Sequence, residues 1–304
     1  MGDIKIKPSV LKIDSDYASE HIPPRIREGN KGSFGRALII AGSMQYIGAA
    51  HLCIEAALRG GAGYVELVSE SAVCDSALLK FPEVIYTRVS PYSDFIKEDI
   101  ERVKQRAKSA SSVLIGPGCS KSAALANVVA ALIKEEGAPL IIDADAINSL
   151  AEYSEDPIEL LVSAKRKTVL TPHPLEFSRL TGKSLGDIAS SRVDSALSLS
   201  SESGAAVLLK GYETVVASGG RVMINTTGSS ALAKAGSGDT LAGMIASLIA
   251  MGGESSDMAA IGAFVHGKAG DILASELSEY GVTPSDLPRA MAQVIAELTA
   301  ICKK

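Results

Sequence analysis

Tryptophan is absent from these 304 residues, and phenylalanine and cysteine are scarce, at five and four. Without an indole, any base that a ligand presents for stacking must lie against another side chain or aliphatic walls. The cysteines, Cys53, Cys74, Cys119 and Cys302, are too dispersed for a CxxC pair or a cysteine and histidine ligand set. That spacing excludes a zinc module and reads as buried free thiols in a reducing compartment. Basic excess is missing too: 30 Lys and Arg stand against 35 Asp and Glu, a net charge of −5. The sign is wrong for phosphate backbones or anionic lipid, so neither nucleic acid nor a membrane surface is the expected partner. The longest apolar run, LAGMIASLIAMGG from Leu241, falls short of the roughly 20 residues of a spanning helix. The amino end, MGDIKIKPSVLK, has no apolar signal core, and Ile6 breaks the myristoylation pattern. A cytoplasmic protein is expected.

What is present is core material: 46% hydrophobic against 21% charged residues. Residues 1–30, with tandem Pro23 and Pro24 and no sustained period, read as an arm packed on the domain rather than part of its core. Beyond them, short β-branched or Leu-rich runs recur as strands: RALIIA at 36, YVELV at 64, SVLIG at 112, PLIID at 139, TVLT at 168, AAVLLK at 205, TVVA at 214 and RVMIN at 221. Between most of them lie helical stretches that close on Gly, such as AAHLCIEAALRGGA and AALANVVAALIKEEG. Apolar strands alternating with helices predict an α/β fold with a mainly parallel sheet covered on both faces. The SGGR link between the last two strands predicts an antiparallel edge, and no linker divides residues 31–304, which read as one domain.

Ligands of such sheets bind beyond the carboxyl ends of the strands, which directs attention to the loops there. In AKAGSGDTLAG, residues 233–243, Gly236 and Gly238 free backbone amides to face an anion as a long apolar helix begins. Asp239 in its first turn is either a favourable helix-end acid or a base that takes a proton from a substrate hydroxyl attacking a phosphoryl group. TPHP, residues 171–174, places His173 at a strand-to-helix crossing, whereas His21, His51 and His266 read mainly as surface or core residues. IGPG, residues 115–118, is a strand-end turn, and IAGSMQYIGAA opens a helix at Gly48 and Ala49 without the GxGxxG spacing of a dinucleotide fingerprint. In KGYET, residues 210–214, a lysine at a strand exit can pair with phosphate as a point charge. Asp143 and Asp145, in IIDADAIN, either bind magnesium through water, or Asp145 caps the following helix.

AGSGDTLAG resembles the anion-hole and catalytic-aspartate motif of the ribokinase-like superfamily. The ordered set KGSFGRALIIAGSMQYIGAAHLCIEAALRGGAGYVEL, IGPG, IIDADAIN, TVLTPHPLEF, LLKGYETVVA, INTTGSSALAKAGSGDTLAG and FVHGKAGDIL, over residues 31–275, is similar to the NAD(P)H-hydrate dehydratases. The resemblance implies a ribokinase-like three-layer sandwich and nucleotide-dependent repair of hydrated NADH and NADPH. It implies Asp239 as catalytic residue, and Ala49, Gly118, His173 and Asp239 against the hydrated substrate. Lys210, Gly211, Tyr212, Glu213, Thr214 and Gly238 would line the ADP or ATP site, with Gly236, Ser237 and Gly238 as the anion hole. Mg²⁺, if bound, would take most of its ligands from nucleotide phosphates. A homo-oligomer is allowed, and the hydrate epimerase fused to many members would be absent or supplied by a separate chain. The alternatives are a ribokinase-like kinase for a vitamin precursor alcohol, or a nucleotide sensor without turnover.

Overall fold

The computed structural model describes residues 10–301; Cys302 and the first nine residues lie outside it. Ten strands form one sheet: β1 Val10–Ile13, β2 Arg36–Ile40, β3 Tyr64–Glu70, β4 Ile85–Val89, β5 Ser112–Ile115, β6 Leu140–Ile142, β7 Thr168–Leu170, β8 Ala206–Leu209, β9 Val215–Ser218 and β10 Arg221–Asn225. Their spatial order is β1-β10-β9-β8-β7-β6-β5-β2-β3-β4. All neighbours are parallel except β9, which runs against both β8 and β10. The antiparallel strand thus lies inside the sheet, because β10 and β1 continue beyond it.

Helices α1 Ser15–His21, α2 Ile47–Gly60, α3 Ser71–Lys80, α11 Ser237–Ala250, α12 Ser255–Gly281 and α13 Leu287–Ile301 pack on one face. The other carries α4 Lys97–Lys108, α5 Ala123–Ile133, α6 Ala144–Tyr153, α7 Pro157–Val162, α8 Pro174–Thr181, α9 Leu185–Ser190 and α10 Arg192–Ser203. Strand alternation feeds both cores: in β8, Ala206 and Leu208 face the first layer while Val207 and Leu209 face the second. The segment read as an arm enters the core, since β1 pairs in register with β10 and Ile13, Tyr17 and Ala18 are buried.

The chain runs β2, β3, β4 outward and then returns across β2 to start β5 on its other side. The β2/β5 border is therefore the topological switch point, where loops leave in opposite directions and open a crevice.

Candidate active site

The chain enters α11 through Gly236, at φ +98°, where a Cβ would also meet Leu52 Cδ1 at 2.7 Å. This left-handed turn explains the glycine. The amide of Ser237 donates to the Lys234 carbonyl at 3.1 Å, and those of Asp239 and Thr240 to the Gly236 carbonyl at 3.1 and 3.3 Å. Gly236 and Gly238 find no acceptor for their amides among the described residues, so these two remain available to an anion. Ser237, predicted as the third donor, has its amide occupied, and its hydroxyl pairs with His266 Nε2 at 3.2 Å. The half-buried Asp239 carboxylate receives no hydrogen bond from the described residues. Burial first, and then the Asp143 charge, push its pKa up to about 7, while Lys210 pulls the other way.

Lys210 leaves β8 and ends beside the start of α11, where a Cβ on Gly238 would stand 3.4 Å from its Nζ. It donates to Asp143 Oδ1 at 2.6 Å, and Thr171 Oγ1 donates to the same oxygen at 2.7 Å. Burial disfavours the lysine charge, yet Asp143, Glu176 and Asp239 together hold its pKa above the usual value. Asp143 is the N-cap of α6, but its side chain is committed to these partners and does not cap the helix. Asp145 does not cap it either: it lies in the first turn, and its Oδ2 accepts the Ser120 amide at 2.9 Å.

His173 serves as the N-cap of α8. Its Nδ1 accepts the amides of Leu175 and Glu176 at 3.1 and 3.2 Å, and Glu176 Oε2 accepts the His173 amide at 2.8 Å. This reciprocal capping box leaves the neutral imidazole with its proton on Nε2, 3.2 Å from Glu176 Oε1. Burial and then Lys210 lower the His173 pKa, so it is neutral near pH 7. Glu176, which the sequence reading passed over, is buried beside Lys210 and raised to about 7, chiefly by that burial. Its signal was present in the spacing HPLE, a capping box with histidine in place of serine or threonine.

A cavity of about 680 Å³ opens at these strand ends, lined by His173, Lys210, Gly211, Tyr212 and Thr214. Ser237 and Gly238 close its other wall, together with His266, which is buried and depressed to about 4 by desolvation. Asn225 and Thr227, not singled out beforehand, also face it. Glu213, at φ +52°, is exposed and stands outside, as do Gly236 and Asp239. Lys210 joins the two regions, lining the cavity while acting on the Asp239 charge.

Ala49 and Gly118 lie apart from this cavity but against each other, in the first turn of α2 and in the loop that follows β5. Gly118 has φ +61°, and a Cβ there would fall 2.6 Å from Ala49 Cβ and 2.8 Å from Tyr46 Cβ. They occupy the crevice of the switch point. His21 and His51 take no part, bonding the Tyr17 carbonyl and Ser76 Oγ.

Among the described residues no three His, Cys, Asp or Glu side chains are grouped to hold a metal. Asp143 Oδ2, however, is buried without a partner. A single carboxylate oxygen fits a magnesium ion ligated mainly by phosphate and water, and does not fit a metal caged by protein.

The profile of the NAD(P)H-hydrate dehydratase family matches residues 37–293. The bifunctional NAD(P)H-hydrate repair enzyme Nnr of Thermofilum pendens is 36% identical, over 98% of this chain and 57% of that protein. Its namesake from Moorella thermoacetica is 34% identical, over 93% of this chain and 53% of its own length. The chain thus spans about half the length of these curated relatives. Among solved structures, the ADP/ATP-dependent NAD(P)H-hydrate dehydratase of Bacillus subtilis, co-crystallised with ATP and Mg²⁺, superposes with a TM-score of 0.83. It is 26% identical, over 95% of this chain and 99% of that one. By profile, relatives and ribokinase-like architecture alike, the chain belongs to the NAD(P)H-hydrate dehydratase family.

Proposed function

We propose that this protein returns (6S)-hydrated NADH and NADPH to NADH and NADPH, with ADP or ATP as phosphoryl donor. The observation that carries the reading is the Asp239 carboxylate, unbonded and near-neutral in pKa, beside the open amides of Gly236 and Gly238 and the Lys210 ammonium.

The chemistry follows from leaving groups. Hydroxide leaves a ring carbon reluctantly and phosphate leaves readily. Asp239 takes the proton of the ring hydroxyl as that oxygen attacks the terminal phosphorus. The bond to the nucleotide breaks, and the nucleotide departs one phosphate shorter. The ring nitrogen lone pair then expels phosphate, and loss of a ring proton restores the double bond. The amides of Gly236 and Gly238 and the α11 amino end face the charge that spreads over the transferring group. Bound Mg²⁺ would add neutralisation of the phosphates, with Asp143 Oδ2 as the acceptor for its waters. Ala49 and Gly118 would accept the hydrated ring in the crevice, with neutral His173 at its border. Lys210, Gly211, Tyr212 and Thr214 would hold the nucleotide, while Glu213 shapes the turn between them. Residues 31–304 would act as one catalytic unit, joined by the continuous sheet.

The test is incubation with hydrated NADH and either ADP or ATP while the reduced-nicotinamide absorbance is followed. Nucleotide-dependent recovery of absorbance with release of phosphate is expected. A stable phosphate ester would make the protein a kinase, and nucleotide binding without turnover would make it a sensor.

A further inference from the structure

The cavity wall at Lys210 is held from behind by a residue that does not touch the cavity. Arg192, the first residue of α10, directs its guanidinium at the exit of β8. Its Nη2 donates to the carbonyls of Leu209 at 3.0 Å and Lys210 at 3.2 Å. The same group lies flat against Gly211, where a Cβ would come within 2.8 Å of Nη1 and 3.0 Å of Nη2. On the other side, the Lys210 amide donates to the Pro172 carbonyl at 2.9 Å, in the loop that carries His173. Lys210 therefore has both main-chain polar groups fixed, one by each neighbouring element. Its side chain meets Asp143 and the amino end of α11 from a backbone that cannot rotate freely.

We infer that Arg192 is the positioning residue of the nucleotide site: by gripping the Leu209 and Lys210 carbonyls it fixes where the Lys210 ammonium and the 211–214 turn meet a phosphate. The inference rests on the nucleotide reading above and extends it to a residue behind the cavity wall. A lysine at 192 keeps the charge, but it lacks the planar guanidinium that lies against Gly211 while its Nη2 alone meets both carbonyls. A misplaced Lys210 weakens ground-state nucleotide binding, whereas Asp239 and the α11 amides keep their own supports. The loss accordingly falls on KM for nucleotide and spares kcat.

The experiment compares wild type, Arg192→Ala and Arg192→Lys in steady-state kinetics, in calorimetric titration with ADP and ATP, and in hydrogen exchange over residues 209–214. Arg192→Ala is expected to raise nucleotide KM roughly tenfold or more with kcat within about twofold, as small displacements of positioning groups do. Its 209–214 amides exchange faster, and Arg192→Lys falls between it and wild type. Unchanged nucleotide affinity and unchanged exchange in Arg192→Ala, even with a lowered melting temperature, would overturn the inference. Should Arg192→Ala not fold, Arg192→Lys decides by the same two readouts. Wild type that binds neither nucleotide overturns the nucleotide reading, while the exchange data still decide whether Arg192 fixes the turn.

Discussion

A carboxylate whose pKa is pushed to about 7 is half ionised near neutral pH, and Asp239 owes this to burial and to the Asp143 charge. The proposed general base Asp239 acts in its ionised form, so kcat/KM is expected to fall as pH drops below about 7, with an acid limb near that value. Asp239→Asn should lower kcat roughly 10²–10⁴-fold while nucleotide still binds in a calorimetric titration. The same residue makes stability fall as pH rises, because the folded state holds its proton more tightly than the unfolded chain does. Its contribution is fully present below the unfolded pKa, near 4, and is lost as pH rises through about 7. Asp239→Asn should therefore match wild type in melting temperature at pH 4 and exceed it by about 2 °C or more at pH 8. Lys210 and Asp143 give the opposite case. Removing one partner of a buried pair strands the other, so Lys210→Met is expected to cost about 3–5 kcal/mol in denaturant unfolding, with Asp143→Asn added on top recovering part of it.

At the scale of elements, the site depends on α11 lying close against α2. Gly243 makes this possible: a Cβ there would stand 2.2 Å from the Cys53 carbonyl oxygen. Gly243→Ala must separate the two helices, at about 1–3 kcal/mol by overpacking. Since α11 carries Asp239 and α2 carries Ala49, a fall in kcat should accompany the lowered melting temperature, and assays well below that temperature separate the two effects.

Elements also decide what the sequence made legible. Eight strands announced themselves because both of their faces are buried, which leaves continuous apolar runs. The two that did not, β1 and β4, are the sheet's edges. β1 has only Ile13 buried and β4 only Val89, so their sequences VLKI and IYTRV lack that signature. The strand-end motifs around Asp239, His173, Lys210 and Gly118 were legible from their glycines, prolines and charges. Arg192 was not, because it acts through a meeting with the β8 exit 17 positions on, and the HPLE spacing marks Glu176 as a capping residue without revealing its place beside Lys210, 34 positions away. Nor could spacing reveal that Asp145 holds the Ser120 amide instead of capping its helix, a bond 25 positions long.

Across the whole molecule, no described helix is long and apolar enough to cross a membrane. Nucleotide binding should be visible as stabilisation of the entire sheet, because the cavity draws on β7, β8, β10 and α11 together. At a free nucleotide concentration of 100 Kd the gain is about 2.7 kcal/mol, read as a higher melting temperature by calorimetry. Arg192→Ala, titrated at the wild-type saturating concentration, should show a smaller rise.

The parallel strands also work as a ruler. Gly118 leaves β5 and Lys210 leaves β8, with β6 and β7 between them. At the usual spacing of neighbouring strands, those anchor points stand about 14 Å apart. With the hydrated ring proposed at Gly118 and the nucleotide at Lys210, the two reactants would lie end to end along the rim, and the group that passes between them would move sideways across strand tips instead of down between the sheet and its helix layers.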